Sequence, residues 1–129
     1  MERLIQEDYT DDPWKMMVSC ILLNQTSNTQ VRPILNSLFN FIPDPISCIS
    51  VSEEDIAALI KTTGFQNTKA KRIKKMASVW ITGFSKPSEL PGIGKYGNDS
   101  WDIFINKEIP ENVTDKKLLL YIKSINENI

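Results

Sequence analysis

The chain has 129 residues, 41% hydrophobic and 24% charged, which suits one folded domain spanning 1–129 with a core that needs no disulfide or metal. It contains no histidine and two cysteines, Cys20 and Cys48, which excludes a Ser-His-Asp triad, a histidine-ligated zinc site, a zinc deaminase and a four-cysteine metal or iron–sulfur centre. The net charge of −1 argues at face value against a nucleic-acid partner.

The elements follow in chain order. Asp12-Pro13 is a capping residue followed by proline at the first helical position, and Trp14, Met17, Val18, Ile21 and Leu22 then recur at helical spacing. A second helix is predicted from about Asn28 to Phe41, with Val31, Ile34, Leu35, Leu38 and Phe39 inward and Pro33 tolerated in its first turn. Asp44-Pro45 repeats the cap-and-proline signal for a short helix. Ser52-Glu53-Glu54-Asp55 resembles a capping box, with Asp55 in place of the usual Glu or Gln, and its helix is expected to run to Gly64. The next helix is predicted from about Asn67 to Ile81, ended by Gly83, with Ala70, Ile73, Ala77 and Trp80 on one face. No alternating strand pattern, internal repeat or low-complexity linker appears, so the expected class is all-α.

The net charge conceals an uneven distribution. Residues 61–86 carry Lys61, Lys69, Lys71, Arg72, Lys74, Lys75 and Lys86 and no acid, whereas residues 1–12 carry five acids against Arg3. A DNA phosphate responds to the local field within about 8–10 Å, so this basic block outweighs the total. Both cysteines lie in apolar stretches and read as reduced core thiols. No run approaches the roughly 18 apolar residues of a membrane span, and the first residues lack the apolar stretch of a secretory signal. An intracellular protein is expected, nuclear in a eukaryote and cytoplasmic in a prokaryote or virus, with no membrane partner.

The informative segment is Leu90-Pro91-Gly92-Ile93-Gly94-Lys95-Tyr96-Gly97. Pro87-Ser88-Glu89-Leu90 forms a short turn before it, and Lys95 to Asn106 a helix after it, giving a helix-hairpin-helix over about 87–106. Glycines let the backbone approach a phosphate, and the amides of the turn and of the next helix's N-terminus point at the anion. Gly92, Ile93, Gly94 and Lys95, with Lys69 and Lys71 of the basic block, are the expected phosphate-binding residues.

Four stretches together resemble the helix-hairpin-helix DNA glycosylases of the endonuclease III superfamily. They are Leu4 to Glu7; Asp12-Pro13-Trp14-Lys15 running on to Leu23-Asn24-Gln25-Thr26-Ser27; Gly64 to Lys71; and Leu90 to Ser100. Within the superfamily they are most similar to the thymine/uracil mismatch glycosylases joined to a methyl-CpG-binding domain, a domain absent here. The resemblance implies a two-lobed helical bundle with a DNA-binding cleft between the lobes. It also implies base excision repair by flipping a damaged or mispaired base from double-stranded DNA.

The resemblance further implies roles for single residues. Asp115 follows the loop Ile109-Pro110-Glu111-Asn112-Val113-Thr114 and matches the catalytic aspartate, which stabilises the positive charge that builds on the sugar. Lys116-Lys117 follow it where the commoner pattern has Thr-His, which leaves Asp99 and Asp102 as spare candidates. Locally, Thr114-Asp115 also reads as a helix start. Tyr96 stands where strand-nicking members carry a Schiff-base lysine. A phenol forms no imine, so a monofunctional enzyme without lyase activity is expected, with Tyr96 against the flipped base. Gln6 matches a residue that reads that base, Gln25 one that fills the gap it leaves, and Phe65 an apolar wedge in the opposite stack. The implied substrate is thymine or uracil opposite guanine, bound by a monomer. No redox cofactor or iron–sulfur cluster is required, and the resemblance allows for a monovalent cation on the hairpin carbonyls, as in some relatives. A non-catalytic DNA-binding module, or a glycosylase for another base, are the alternatives. The first would need only the hairpin and lysines.

Overall fold

The computed structural model describes residues 3–127; Met1, Glu2, Asn128 and Ile129 lie outside them. Among the described residues there are eight α-helices joined by turns and no strand, as the periodicity predicts. They are α1 (Pro13–Leu22), α2 (Asn28–Val31), α3 (Leu35–Phe41), α4 (Pro45–Ile49), α5 (Glu53–Ile60), α6 (Gln66–Thr82), α7 (Lys95–Phe104) and α8 (Lys116–Glu127).

The helix starts obey local chemistry. Asp12, Asp44 and Ser52 each accept the backbone N–H three residues on, from Lys15, Ser47 and Asp55, at 3.1, 2.8 and 3.1 Å. Among the described residues Asp55 returns no bond to Ser52, so the predicted box is a single cap; aspartate is one methylene shorter than the usual glutamate. Gly83 ends α6 with φ 103°. Two predictions need correction. The helix expected from Asn28 to Phe41 is interrupted by a 3₁₀ turn at Arg32–Ile34, because Pro33 has no N–H to continue the α ladder. The helix after Ser52 becomes a 3₁₀ turn at Lys61–Thr63 before Gly64.

Helices α4 and α5 lie on α6, while α1 touches both α6 and α7. Trp14 of α1 and Trp101 of α7 both pack on Trp80 of α6, with ring centroids 5.6 and 6.0 Å apart. The Trp14 indole also donates to the Ile42 carbonyl, 3.1 Å away, at the end of α3. Both cysteines are buried and unpaired. The chain start is held by Asp8, whose carboxylate receives Arg3 at 2.8 Å and Arg32 at 3.0 Å. This fixes the 3₁₀ turn Ile5–Asp8, and with it Gln6, against α7.

Gly97, in the first turn of α7, is required by packing. A Cβ there would lie 2.8 Å from Ile93 Cγ2. In an open helix Gly→Ala gains about 0.5–1 kcal/mol. Here overpacking, about 1–3 kcal/mol, reverses the sign. Gly97→Ala is expected to lower the urea midpoint; a raised midpoint would show that Ile93 yields freely.

Candidate functional site

A cleft of about 760 Å³ opens between the end of α1 with the loop that follows it and the turn that leads into α7. Its lining includes Cys20, Asn24, Gln25, Ser27, Asn28, Arg72, Gly92, Ile93, Gly94, Tyr96, Asp115 and Lys117. The hairpin predicted at 87–106 forms one rim. A 3₁₀ turn at Pro87–Glu89 leads to buried Leu90, whose carbonyl accepts the Ile93 N–H at 3.2 Å. Gly92 has φ 82°, a conformation that favours glycine, and a Cβ on it would sit a tight 3.2 Å from Arg72 Cβ. Gly94 is the N-cap of α7 and has no side chain to cap it. The first-turn amides of α7 therefore receive no side-chain cap from Gly94.

The residues expected to bind phosphate stand in different surroundings. The Ile93 amide is committed to Leu90, so this residue contributes packing under Gly97. The Lys95 ammonium reaches along α7 to Asp99, 2.8 Å away, so it is already paired. Lys69 is the clear correction. It is 1% exposed, and its ammonium donates to the carbonyls of Leu22 and Thr63 at 2.8 Å each, so it reaches no phosphate. Lys74 likewise donates to the carbonyls of Ile49 and Val51. Lys61, Lys71, Lys75 and Lys86 are exposed. Arg72, counted in the basic block but assigned no role from the sequence, lines the cleft with its stem on Gly92. Its proximity to the hairpin had no sequence signal, since 20 positions separate Arg72 from Gly92.

Asp115 stands in the cleft wall and also caps α8, accepting the Leu118 N–H at 3.0 Å. The cap reading of the sequence holds, and the bond fixes one carboxylate oxygen of a side chain that also lines the cleft. The spare candidates stand elsewhere. Asp99 is buried in its pair with Lys95, Asp102 accepts from the Asn106 amide at 3.1 Å, and neither lines the cleft.

Tyr96 lies against the cleft, with its hydroxyl accepting the Gln6 amide N–H at 2.5 Å. Burial pushes the Tyr96 hydroxyl well above its ordinary value near 10, with the Gln6 bond acting the other way, so the phenol stays neutral. Gln6 is 0% exposed and also donates to Ser100 Oγ at 3.2 Å; its Oε1 is buried without a partner. It sits behind Tyr96 and is not part of the cleft lining. An isolated glutamine near the chain start gave no hint of that burial. Burial also pushes the Cys20 thiol to about 12, so this cleft residue is a poor nucleophile. Gln25 lines the cleft and Phe65 lies outside it, 63% exposed; both have left-handed backbones, φ 58° and 50°. Among the described residues no group of three or more His, Cys, Asp or Glu could hold a metal ion.

Comparison with known proteins agrees with this layout. The chain is 38% identical over 104 residues to a methyl-CpG-binding domain protein 4-like protein of Arabidopsis thaliana, covering 80% of this chain and 23% of that protein. It is 26% identical over 122 residues to a thymine/uracil-DNA glycosylase of Pyrobaculum aerophilum, covering 88% and 53%. Among solved structures, a thermostable thymine-DNA glycosylase superposes with a TM-score of 0.73 at 24% identity, covering 82% of this chain and 52% of that one. An endonuclease III trapped as a covalent intermediate with DNA gives 0.68 at 21% identity, covering 74% and 48%. These likenesses establish the fold, and the chain spans from about a quarter to about half the length of these relatives. The model of the HhH-GPD superfamily base excision DNA repair proteins matches residues 18–127, and the chain belongs to that superfamily.

Proposed function

We propose that this chain is the catalytic part of a monofunctional DNA glycosylase that flips thymine or uracil opposite guanine out of double-stranded DNA and hydrolyses its glycosidic bond. The observation that carries the reading is the meeting of Asp115, Tyr96 and the hairpin amides of α7 in one cleft. A phosphate on the hairpin would fix the strand, and the extruded nucleotide would enter beside Tyr96. The C1′–N1 bond breaks with its electron pair leaving on the pyrimidine. Water adds to C1′, Asp115 takes the water's proton, and the departing base is the final acceptor. The carboxylate also stabilises the oxocarbenium-like sugar before water arrives. Hydrolysis changes no oxidation state, so no redox cofactor is required.

The absence of strand cleavage rests on Tyr96. A neutral phenol can stack on or hydrogen-bond a base but cannot form a Schiff base with the sugar. The preceding residue, Lys95, also lines the cleft, but its ammonium is paired with Asp99, 2.8 Å away. The pyrimidine preference rests on the likeness to thymine/uracil-DNA glycosylases.

The test is a labelled duplex with one G·T or G·U pair, incubated with the chain and split into samples with and without alkali. Breaks that need alkali are expected, and borohydride should trap no covalent complex. Alkali-independent breaks would overturn the monofunctional reading. An intact strand in both samples would overturn the glycosylase reading and favour a DNA-binding module. In that case binding should still weaken steeply with salt, because the exposed lysines release counterions from phosphates.

A further inference from the structure

We propose that Lys69 is a positioning residue for base flipping: its buried ammonium ties the loop that presents Gln25 to the turn that presents Phe65, and so sets the spacing between the side chain that fills the gap of the flipped base and the one that enters the opposite stack. The proposal rests on the glycosylase reading and on the roles that the family resemblance implies for Gln25 and Phe65, and it names how the two are held.

The geometry is specific. Lys69 Nζ donates to the Leu22 carbonyl, at the last residue of α1, and to the Thr63 carbonyl, which closes the turn before α6. Gln25 lies three residues beyond the first acceptor and Phe65 two beyond the second. The acceptors are 41 positions apart in sequence and share no helix. Closing the end of α1 would explain one bond, since a helix terminus leaves carbonyls unpaired. Thr63 ends the 3₁₀ turn that continues α5, so each bond caps one helical segment, and a single ammonium serving both is what joins them.

A buried ammonium is a costly way to satisfy two carbonyls, and among the described residues no carboxylate pairs with it. Burial pushes its pKa down, in keeping with that cost. What the ammonium does that an apolar core residue would not is hold two separate backbone segments at one distance. Both wedge residues also have left-handed backbones, which non-glycine residues keep only where the surroundings hold them. Lys69 anchors the flank of each.

The experiment compares Lys69→Met and Lys69→Gln with the wild-type chain on two substrates. One is uracil paired with guanine; the other is uracil in an unpaired bubble, where nothing needs to be levered from a stack. A 2-aminopurine beside the uracil reports unstacking by its fluorescence and does not depend on turnover. Gln25→Ala and Phe65→Ala supply the pattern expected of a lost wedge. Displacing a positioned group by about 1 Å can cost about 100-fold. The Lys69 variants, with cooperative melts confirming that they fold, should lose about that factor on the paired substrate, keep bubble turnover, and give little fluorescence rise. Lys69→Arg should restore most of the loss.

Equal losses on both substrates, or an unchanged fluorescence rise, would overturn the proposal. Unstacking by the wild type without excision would instead refute the glycosylase reading and leave the wedge spacing measurable by fluorescence. Should both uncharged variants fail to fold, hydrogen exchange on the wild-type chain decides. The amides of Asn24–Thr26 and Phe65–Gln66 should open with one free energy, and independent opening would refute the tie.

Discussion

Asp115→Asn is expected to lower single-turnover excision from a G·U duplex by about 10³-fold, roughly 4 kcal/mol in the barrier. It should leave stability nearly untouched. The side chain does two things at once: it lines the cleft and it caps α8 through the Leu118 N–H. Asparagine is as good an N-cap as aspartate but is no base and carries no charge to set against an oxocarbenium. Asp115→Ala removes both functions. It should show the same kinetic loss together with about 1 kcal/mol of destabilisation, about 4 °C in melting temperature for a chain of this size. Affinity for duplex DNA should be retained or rise slightly in both variants, because a negative group facing phosphates is removed. Full turnover by Asp115→Asn would remove it from the mechanism and reduce it to a cap.

The second large effect is unfolding in alkali. Burial raises the Cys20 thiol from an ordinary value near 9 to about 12, offset in part by a hydrogen bond with Ser100. It raises the Cys48 thiol to about 11, against the opposing charge of Lys74. In both cases the folded chain holds its proton more tightly than the unfolded chain. The stabilisation is therefore complete below about pH 9 and is lost as pH rises through the folded values. Each thiol contributes a slope of up to about 1.4 kcal/mol per pH unit in that window. Tyr96, raised in the same direction, adds to the slope above about pH 10. Over pH 9 to 11 the loss reaches several kcal/mol, a large share of the 5–15 kcal/mol typical of a domain. Urea midpoints should fall steeply between pH 9 and 10.5, and Cys20→Ala should flatten the fall. A midpoint constant to pH 10.5 would show that the thiols titrate as if exposed.

Helix starts and stops were legible because their causes are local. Asp12, Asp44 and Ser52 cap through bonds spanning three residues, and Gly83 ends α6 with a positive φ that glycine adopts without strain. The hairpin was legible for the same reason: Gly92 and Gly94 mark it within three positions. Pro33 was legible as a constraint, but whether it would be absorbed in a first turn or break the helix depended on how α3 packs.

The sequence by itself determined the helical class, the capped starts, the glycine hairpin and the family resemblance that singled out Asp115 and Tyr96. Only the tertiary structure decided where the charges and polar groups end up. Lys69 left the phosphate-binding set because its acceptors include Leu22, 47 residues away, and Gln6 moved to the core through Tyr96, 90 residues away. Arg72 entered the cleft by resting on Gly92. A long side chain can reach any of several partners within its length. Which one it meets is set by how helices pack, through contacts that no pattern of neighbouring residues encodes.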